Sequence, residues 1–204
     1  DRDGDLDLFV GGRVVGGKYP TTPDTYLLRN EGGRFIDVTD VAALGLKQTG
    51  MVTSALFTDV DNDGQSDLLV AHEWGPVKYY HNSSGKFTDQ TEAAGLAELT
   101  GWWNSLASAD FDLDGDLDYV VGNFGHNTKY HASAGFPTLL YYGDFEKSGT
   151  PQIIEAEFED ETLYPVRGRS CSTNAMPHLA NKFSSYHDWG MAPLQNIYEE
   201  KSLT

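Results

Sequence analysis

The sequence has little cysteine, little positive charge and no long apolar run. Its one cysteine, Cys171, excludes an internal disulfide. No stretch of about 18 consecutive apolar residues occurs, so no membrane-spanning helix is expected in these residues. Only 14 lysines and arginines accompany 31 acidic residues, which gives a formal net charge of -17. This balance argues against nucleic acid as a partner, because binding a phosphate backbone requires a basic face.

The acidic residues are concentrated in short loops that share one pattern. The stretch 110–118 reads Asp-Phe-Asp-Leu-Asp-Gly-Asp-Leu-Asp, with acids at the first, third, fifth and ninth places. Carboxylates this close repel one another. A hard divalent cation relieves that repulsion, and calcium accepts about six to eight oxygen ligands from a flexible loop. The stretch therefore predicts a calcium site, in which Gly115 allows a sharp turn and place seven offers its carbonyl oxygen.

The pattern recurs along the chain. The stretch 59–67 repeats the four acids, and its glutamine at place seven fits a main-chain ligand there. The stretch 1–7 has the pattern without its first acid, so we interpret the sequence as part of a longer protein that begins inside a unit. The stretch 144–152 is a weak copy with serine and glutamine at the fifth and ninth places. In chain order, these stretches are named loop 1 (1–7), loop 2 (59–67), loop 3 (110–118) and loop 4 (144–152).

The flanks of the loops distinguish them from EF-hands and from ordinary acidic turns. An EF-hand carries a glutamate at its twelfth place and a helix on each side. Here the twelfth places are Val10, Val70 and Val121, and the flanking segments have strand character. For a single loop, an ordinary solvated acidic turn and a metal site would be equally good interpretations. Three copies in register, each entering an apolar strand, favour a repeated metal-binding unit.

Short apolar segments between glycine, proline and asparagine turns predict β-strands along most of the chain. The turn motif Asn-x-x-Gly-x-Phe occurs at Asn30 and again at Asn82, about 50 residues later. Four short strands in a period of about 50 residues are typical of a β-propeller blade. We therefore predict an all-β fold of four-stranded antiparallel blades that form part of a propeller.

The end of the sequence has a different pattern. From Ser172 or Thr173 onward, Leu179, Phe183 and Tyr186 recur at helical spacing, and Pro193 is suited to begin a second helix. We expect propeller repeats over residues 1–158. Residues 159–204 are expected to form a mixed strand and helical extension packed on the repeats.

The Asp-x-Asp-x-Asp-Gly-x-x-Asp-Leu loops, with Val-Gly-Gly and Val-Gly-Asn-Phe-Gly turns after them, resemble FG-GAP or VCBS repeats. Such repeats build the calcium-binding β-propellers of integrin α-subunits and of many bacterial surface proteins. The segments 30–39 and 93–96 are most similar to the bacterial branch often found with ASPIC/UnbV domains. The resemblance covers about residues 1–155.

This resemblance implies two strong calcium sites and a third site at the start of the sequence. In loop 2 it implies side-chain ligands at Asp59, Asp61, Asp63 and Asp67 and a main-chain ligand at Gln65. In loop 3 it implies side-chain ligands at Asp110, Asp112, Asp114 and Asp118 and the carbonyl of Asp116. In loop 1 it implies Asp1, Asp3 and Asp7 with the carbonyl of Asp5. Loop 4 is expected to bind calcium weakly or not at all.

Signals for catalysis are weak. The serines beside Cys171 have no glycine elbow and no identifiable base, and histidines such as His126 and His131 have no convergent partners visible in the sequence. We therefore expect a non-enzymatic segment, with the activity of the longer protein left open. Large aromatic residues leave two readings open, because they either fill the core between blades or form an exposed platform for sugar rings or a protein. These residues are Trp74, Trp102 and Trp103.

Together these patterns predict a calcium-stabilised module that binds a ligand or acts as a scaffold. The expected parent is a bacterial surface or secreted protein with a role such as integrin-like adhesion. Loops of this kind are typical of extracellular modules, where calcium is millimolar, so we expect an extracellular, periplasmic or outer-surface location. The alternative is a non-catalytic, carbohydrate-binding portion of a polysaccharide-processing enzyme. The partner is expected to be a protein or a glycan.

Overall fold

The computed structural model describes residues 3–198 and residue 203. These residues form twelve β-strands and five short helices. The chain divides into two compact units, Asp1–Phe124 and Gly125–Thr204, named here the N-terminal unit and the C-terminal unit. None of the helices in the described part of the chain has the length and apolar character that a membrane crossing requires.

The first repeat of the N-terminal unit is a three-stranded antiparallel sheet in the order β1-β2-β3. Its turn is the one that the sequence predicts: the N–H of Gly33 donates to Oδ1 of Asn30 at 2.8 Å. A short helix follows the sheet. The elements of repeat 1 are β1 (Leu8–Val10), β2 (Tyr26–Glu31), β3 (Arg34–Asp37) and α1 (Thr39–Ala42).

The second repeat has four antiparallel strands, as predicted for a blade. Loop 2 joins its first two strands, and Leu68 of the second strand pairs with Tyr80 of the third. The third and fourth strands close on a turn in which Gly85 N–H donates to Asn82 Oδ1 at 2.9 Å. The elements of repeat 2 are β4 (Met51–Thr58), β5 (Asp67–Pro76), β6 (Lys78–Ser83) and β7 (Lys86–Asp89).

The third repeat consists of two strands, β8 (Thr100–Ala109) and β9 (Asp118–Asn123), joined by loop 3. Strand β8 also pairs with the end of β5, where Glu73 lies opposite Trp102. Within residues 3–198, β9 pairs with β8 alone. The four-strand pattern therefore holds for repeat 2, and the number of blades stays a prediction.

The core of the N-terminal unit lies around β5. An unbroken apolar run such as that of β5 is typical of a strand buried on both faces, and Leu68, Val70 and Tyr80 are all fully buried. Truncating such a side chain to alanine costs about 2–5 kcal/mol. The corresponding strand of repeat 3 is less covered: Leu69 of β5 is 5% exposed, whereas Val120 of β9 is 53% exposed. The difference follows from the strand order. Strand β5 lies inside the sheet, between β6 and β8, whereas β9 is an edge strand among the described residues.

The C-terminal unit contains a three-stranded antiparallel sheet and four short helices. Loop 4 joins the first two strands. The core of the unit is formed by Ile154 and Ala156 from the sheet and by helical residues such as Leu179, Trp189 and Ile197. The strands are β10 (Leu139–Gly143), β11 (Gln152–Glu159) and β12 (Thr162–Pro165). The helices are α2 (Arg169–Ala175), α3 (Leu179–Lys182), α4 (Tyr186–Gly190) and α5 (Leu194–Ile197).

The structure corrects the prediction of one helix that contains Leu179, Phe183 and Tyr186. These residues fall on and after α3 and at the start of α4, and Ser172 lies inside α2 instead of capping it. Two local signals outweigh the helical spacing. Pro177 lacks an amide hydrogen and cannot continue α2, and Ser185 caps a new helix by accepting from Asp188 N–H at 3.0 Å.

The units divide between Phe124 and Gly125, whereas the sequence places the end of the repeats at residue 158. Strands β11 and β12 form a hairpin across that position, with Phe158 opposite Leu163. The extent of the repeats toward residue 158 stays a prediction. Helix α5 begins after Pro193, as the sequence predicts.

Candidate metal centre

Loop 2 folds its backbone around its own carboxylates. Oδ1 of Asp59 accepts from the N–H of Asp63 at 3.1 Å, and Oδ2 accepts from the N–H of Gly64 at 2.8 Å. At the other end, Oδ2 of Asp67 accepts from Val60 N–H at 3.0 Å. The first and ninth places therefore hold the loop closed from both ends.

The same framework recurs in loops 3 and 4. Asp110 and Asp144, at the first place, each accept from the N–H groups of the fifth and sixth places, at 2.7–3.1 Å. The ninth place accepts from the second in both loops: Asp118 Oδ2 from Phe111 N–H at 2.8 Å, and Gln152 Oε1 from Phe145 N–H at 2.9 Å. The shared framework shows that this loop fold does not depend on a carboxylate at every place.

The fourth place of loops 2, 3 and 4 takes the left-handed backbone conformation. Its φ is 59° at Asn62 in loop 2, 64° at Leu113 in loop 3 and 53° at Lys147 in loop 4. Asparagine tolerates this conformation because its short polar side chain can bond locally. Leucine takes it at a cost of roughly 1–2 kcal/mol, because its Cβ approaches the following carbonyl oxygen. Loop 2 therefore has the less strained residue at this place.

The framework brings several predicted ligands together. Carboxylate oxygens of Asp59, Asp61 and Asp63 lie within 4.8 Å of one another in loop 2. Asp67 joins Asp61 in a second group with the same spacing. In loop 3 the converging set is Asp110, Asp112 and Asp118.

Asp114 stands outside the loop 3 group and accepts from Asp116 N–H at 3.0 Å. In loop 1, Oδ1 of Asp3 accepts from Asp5 N–H at 2.9 Å. No metal-ligand group in the described residues includes Asp3 or Asp7. Asp1 lies outside the described residues.

His81 is a candidate ligand that the sequence analysis did not identify. Its Nδ1 lies 3.3 Å from Oδ2 of Asp61 and 3.3 Å from Oδ1 of Asp67, and the three residues form one potential metal-ligand group. Asp67 is fully buried and also accepts from the hydroxyl of Tyr79 at 3.2 Å. Burial raises the pKa of Tyr79 well above its ordinary value, and the charge of Asp67 acts in the same direction, so the hydroxyl stays a donor. No local sequence pattern signals this role, because the pairing of β6 with β5 brings His81 to the loop.

In repeats 1 and 2, the β-hairpin of the repeat anchors the end of its own loop. In repeat 1, Oδ1 of Asp7 accepts from Asn30 N–H at 2.9 Å, and Oδ2 of Asp5 accepts from Gly32 N–H at 2.8 Å. In repeat 2, Asp67 accepts from Asn82 N–H at 2.7 Å, and Gln65 Oε1 accepts from Ser84 N–H at 2.7 Å. Places seven and nine are thus each tied to the turn of the same repeat.

The chemistry of these groups fits calcium. Loops 2 and 3 each offer several carboxylates and a seventh-place carbonyl, which are hard oxygen ligands of the type that calcium prefers. Loop 4 fits less well, because Ser148 and Gln152 replace two carboxylates and Glu146 bonds to His178. Bonds from the N–H groups of Gly149 and Ser148 hold the pKa of Asp144 below its ordinary value. Loop 4 therefore satisfies the carboxylate of Asp144 by hydrogen bonds.

The three tryptophans that the sequence offers as a binding platform do not share one surface. Trp102 lies between Trp74 and Phe124, with ring centroids 5.5 Å and 4.7 Å away. Trp103 instead donates from Nε1 to the carbonyl of Leu99 at 3.1 Å. The structure therefore joins Trp74 with Trp102 and separates Trp103, and a ligand-binding role for these residues stays a prediction.

Comparison with known proteins identifies the repeats. A model for the FG-GAP-like repeat matches residues 1–70 and 59–121. The chain belongs to the FG-GAP-like repeat family. FG-GAP repeats are propeller-like, and the matched residues include loops 1, 2 and 3, strands β1–β8 and the first four residues of β9. The predicted FG-GAP resemblance is confirmed, while its bacterial, ASPIC/UnbV-associated branch stays a prediction.

A curated relative matches about half of this chain. Cartilage acidic protein 1 of Mus musculus is 28% identical over 103 residues, which cover 47% of this chain and 16% of the mouse protein. The chain therefore spans only a small part of that relative. FG-GAP repeats of this kind indicate a ligand-binding repeat module.

Proposed function

We propose that loops 2 and 3 bind calcium and that the ions hold the N-terminal unit rigid as a ligand-binding or scaffold module. The observation that supports this most is the convergence of three carboxylates within 4.8 Å in each loop. Without a cation, repulsion among these groups would oppose the folded loop. A dication cancels that repulsion and ties the two strands of each hairpin together.

Each proposed site has side-chain and main-chain ligands. In loop 2 these are Asp59, Asp61, Asp63 and Asp67 with the carbonyl of Gln65, and His81 lies beside them. In loop 3 they are Asp110, Asp112, Asp114 and Asp118 with the carbonyl of Asp116. A third site in loop 1 would use Asp3 and Asp7 with the carbonyl of Asp5, together with Asp1. In all three cases the ion has a structural role, because rigid loops present a binding surface at lower entropic cost.

The setting that fits this role is outside the cytoplasm. FG-GAP repeat domains are typically extracellular, and millimolar calcium there would fill loops of moderate affinity. We propose a bacterial surface or secreted parent in which this module binds a protein or glycan and performs no catalysis itself. The acidic net charge of -17 disfavours nucleic acid as that partner.

Calcium titration of the metal-stripped chain tests the proposal. Isothermal titration calorimetry should show at least two calcium sites, and melting curves should shift upward as calcium is added. Asp61→Asn and Asp112→Asn should each abolish one site, because each removes a charge without changing side-chain volume. Asp144→Asn in loop 4 is the matched control and should leave both sites intact. A melting temperature that changes with neither calcium nor chelator would refute the proposal.

The partly exposed aromatic stack favours a second candidate, a non-catalytic carbohydrate-binding module. Trp74 has a φ of 57° at a β-bulge of β5, and bulges of this kind often re-aim a side chain near a functional site. Its indole donates to the hydroxyl of Tyr19 at 2.6 Å, which fixes the ring. Screening the chain and its Trp74→Ala variant on a glycan array tests this candidate, which predicts sugar binding that the variant loses.

A further inference from the structure

Loop 3 is anchored differently from loops 1 and 2. The seventh-place side chains Asp5 and Gln65 accept from the hairpin turn of their own repeat. Repeat 3 contains no such hairpin within the described residues. Its seventh-place residue, Asp116, instead accepts from Nδ2 of Asn62 in loop 2, at 3.0 Å. Loop 2 therefore provides for loop 3 the anchor that each earlier repeat provides for itself.

Asn62 is placed to transmit changes in loop 2. It lies between the proposed ligands Asp61 and Asp63, and its left-handed backbone, with φ of 59°, is fixed by the turn of the loop. Asp116 offers its carbonyl oxygen to the ion in loop 3. One hydrogen bond thus joins a residue flanked by ligands of the first ion to a ligand of the second.

A second link joins the same two loops at their bases. The hydroxyl of Thr58, which precedes Asp59, lies 3.0 Å from the hydroxyl of Tyr119, which follows Asp118. Farther along the strands, Leu106 N–H donates to Oγ of Ser54 at 3.1 Å. Loops 2 and 3 are therefore connected at their tips and at their strand ends, all within the N-terminal unit.

We propose that loops 2 and 3 bind calcium cooperatively, and that Asn62 and Asp116 carry the coupling. This inference rests on the proposed calcium binding and adds the order in which the two loops bind their ions. Loop 2 is held by its own hairpin and binds first. Its ion fixes Asn62, which holds Asp116 and so orients the main-chain ligand of loop 3. By thermodynamic linkage, an ion in loop 3 raises the affinity of loop 2 by the same factor.

Titration of each loop separately tests the coupling. In the full chain labelled with ¹⁵N-glycine, the amide signal of Gly64 follows loop 2 and that of Gly115 follows loop 3. Asp61→Asn, which disables loop 2, should weaken calcium binding at loop 3 by about 5-fold or more. Asn62→Gly keeps the left-handed turn but removes the amide, and it should cause a similar loss at loop 3. Combined with Asn62→Gly, Asp61→Asn should cause no further loss.

Matched variants separate the link from general damage to the loops. Asp116→Ala removes the acceptor of the hydrogen bond but keeps the carbonyl ligand. It should weaken calcium binding at loop 3 as much as Asn62→Gly does. Leu113→Gly changes the equivalent fourth place of loop 3, where the side chain has no hydrogen-bonding group. It should leave the effect of Asp61→Asn on loop 3 unchanged.

The possible results are distinguishable. Cooperative shifts of Gly64 and Gly115 that become independent in Asn62→Gly support the proposal. Calcium-dependent shifts that are independent in the unmodified chain overturn the coupling and leave calcium binding standing. Absence of calcium-dependent shifts at both glycines overturns the coupling and the proposed function together.

Discussion

Gln152 accepts from the N–H of Phe145 at 2.9 Å, in the place where Asp67 of loop 2 accepts from Val60 at 3.0 Å. A neutral amide oxygen thus closes loop 4 as a carboxylate closes loop 2. The Gln152 amide nitrogen also donates to the carbonyl of Thr150 at 2.5 Å. Hydrogen bonds therefore hold loop 4 in the shared fold with little carboxylate charge.

The first prediction is that loop 4 can be converted into a calcium site. Ser148→Asp combined with Gln152→Asp restores the fifth- and ninth-place acids on a backbone that already has the required turn. Calorimetric titration should then show one additional calcium site relative to the unmodified chain. The single variant Gln152→Asn is the control and should add none. If the double variant folds but its calcium stoichiometry is unchanged, the loop framework does not define the site.

The second prediction ranks two acidic residues by their contribution to stability. Asp114→Ala should destabilise the chain more than Asp144→Ala when calcium is at about 100 times its Kd, because only the first removes a proposed ligand. Loss of one calcium site at that concentration lowers the free energy of unfolding by about 2.7 kcal/mol. Urea unfolding with calcium and with excess chelator measures both variants. Equal costs in calcium would contradict the ranking of the loops, as would a difference that persists in chelator.

Local sequence signals predicted the features that depend on neighbours in the chain. The turns at Asn30 and Asn82, the acid spacing of loop 2 and the start of α5 at Pro193 all follow from side chains within a few residues. Features that depend on distant residues were not predictable. His81 approaches Asp61 and Asp67 only because β6 pairs with β5. The bond between Asn62 and Asp116 joins two repeats, and no local pattern encodes it.

The third prediction concerns acid stability and His72. Burial lowers the pKa of His72 to about 4, although its bond to the carbonyl of Pro76 opposes the shift. Nδ1 lies 2.8 Å from that carbonyl, and Nε2 lies 3.2 Å from the hydroxyl of Thr49. The neutral ring satisfies both contacts by donating from Nδ1 and accepting at Nε2. Protonation would put a charge in the core and leave Nε2 facing Thr49 as a donor.

The sign of the effect follows from the lowered pKa. The folded state binds the proton more weakly than the unfolded chain, whose histidine titrates near its ordinary value of 6.5. The contribution of neutral His72 to the free energy of unfolding is therefore fully present above pH 6.5, and it is lost as the pH falls toward 4. Between pH 7 and pH 5 the free energy of unfolding should fall by about 2 kcal/mol through this group. Urea unfolding of the unmodified chain and of His72→Gln measures it, and an equal pH slope in both would rule out His72 as the cause.

The fourth prediction compares two glycines that differ in their surroundings. A Cβ added at Gly12 would lie 2.3 Å from the carbonyl oxygen of Asp24, whereas one added at Gly16 would meet nothing within 4 Å. The backbone at Gly12 cannot shift freely, because its N–H donates to Thr25 Oγ1 at 3.0 Å and its carbonyl accepts from Val52 N–H at 2.8 Å. These bonds tie the segment after β1 to the residue that precedes β2 and to β4.

Gly12→Ala should therefore destabilise the chain by about 1–3 kcal/mol, the cost of overpacking a closely packed site. Gly16→Ala, with open space around it, should be neutral or stabilise the chain by up to about 1 kcal/mol, because alanine has less freedom when unfolded. Chemical unfolding of both variants in saturating calcium gives the comparison. Equal stabilities would mean that the segment after β1 relaxes without cost, and that its bonds to Thr25 and Val52 do not hold repeat 1 against repeat 2.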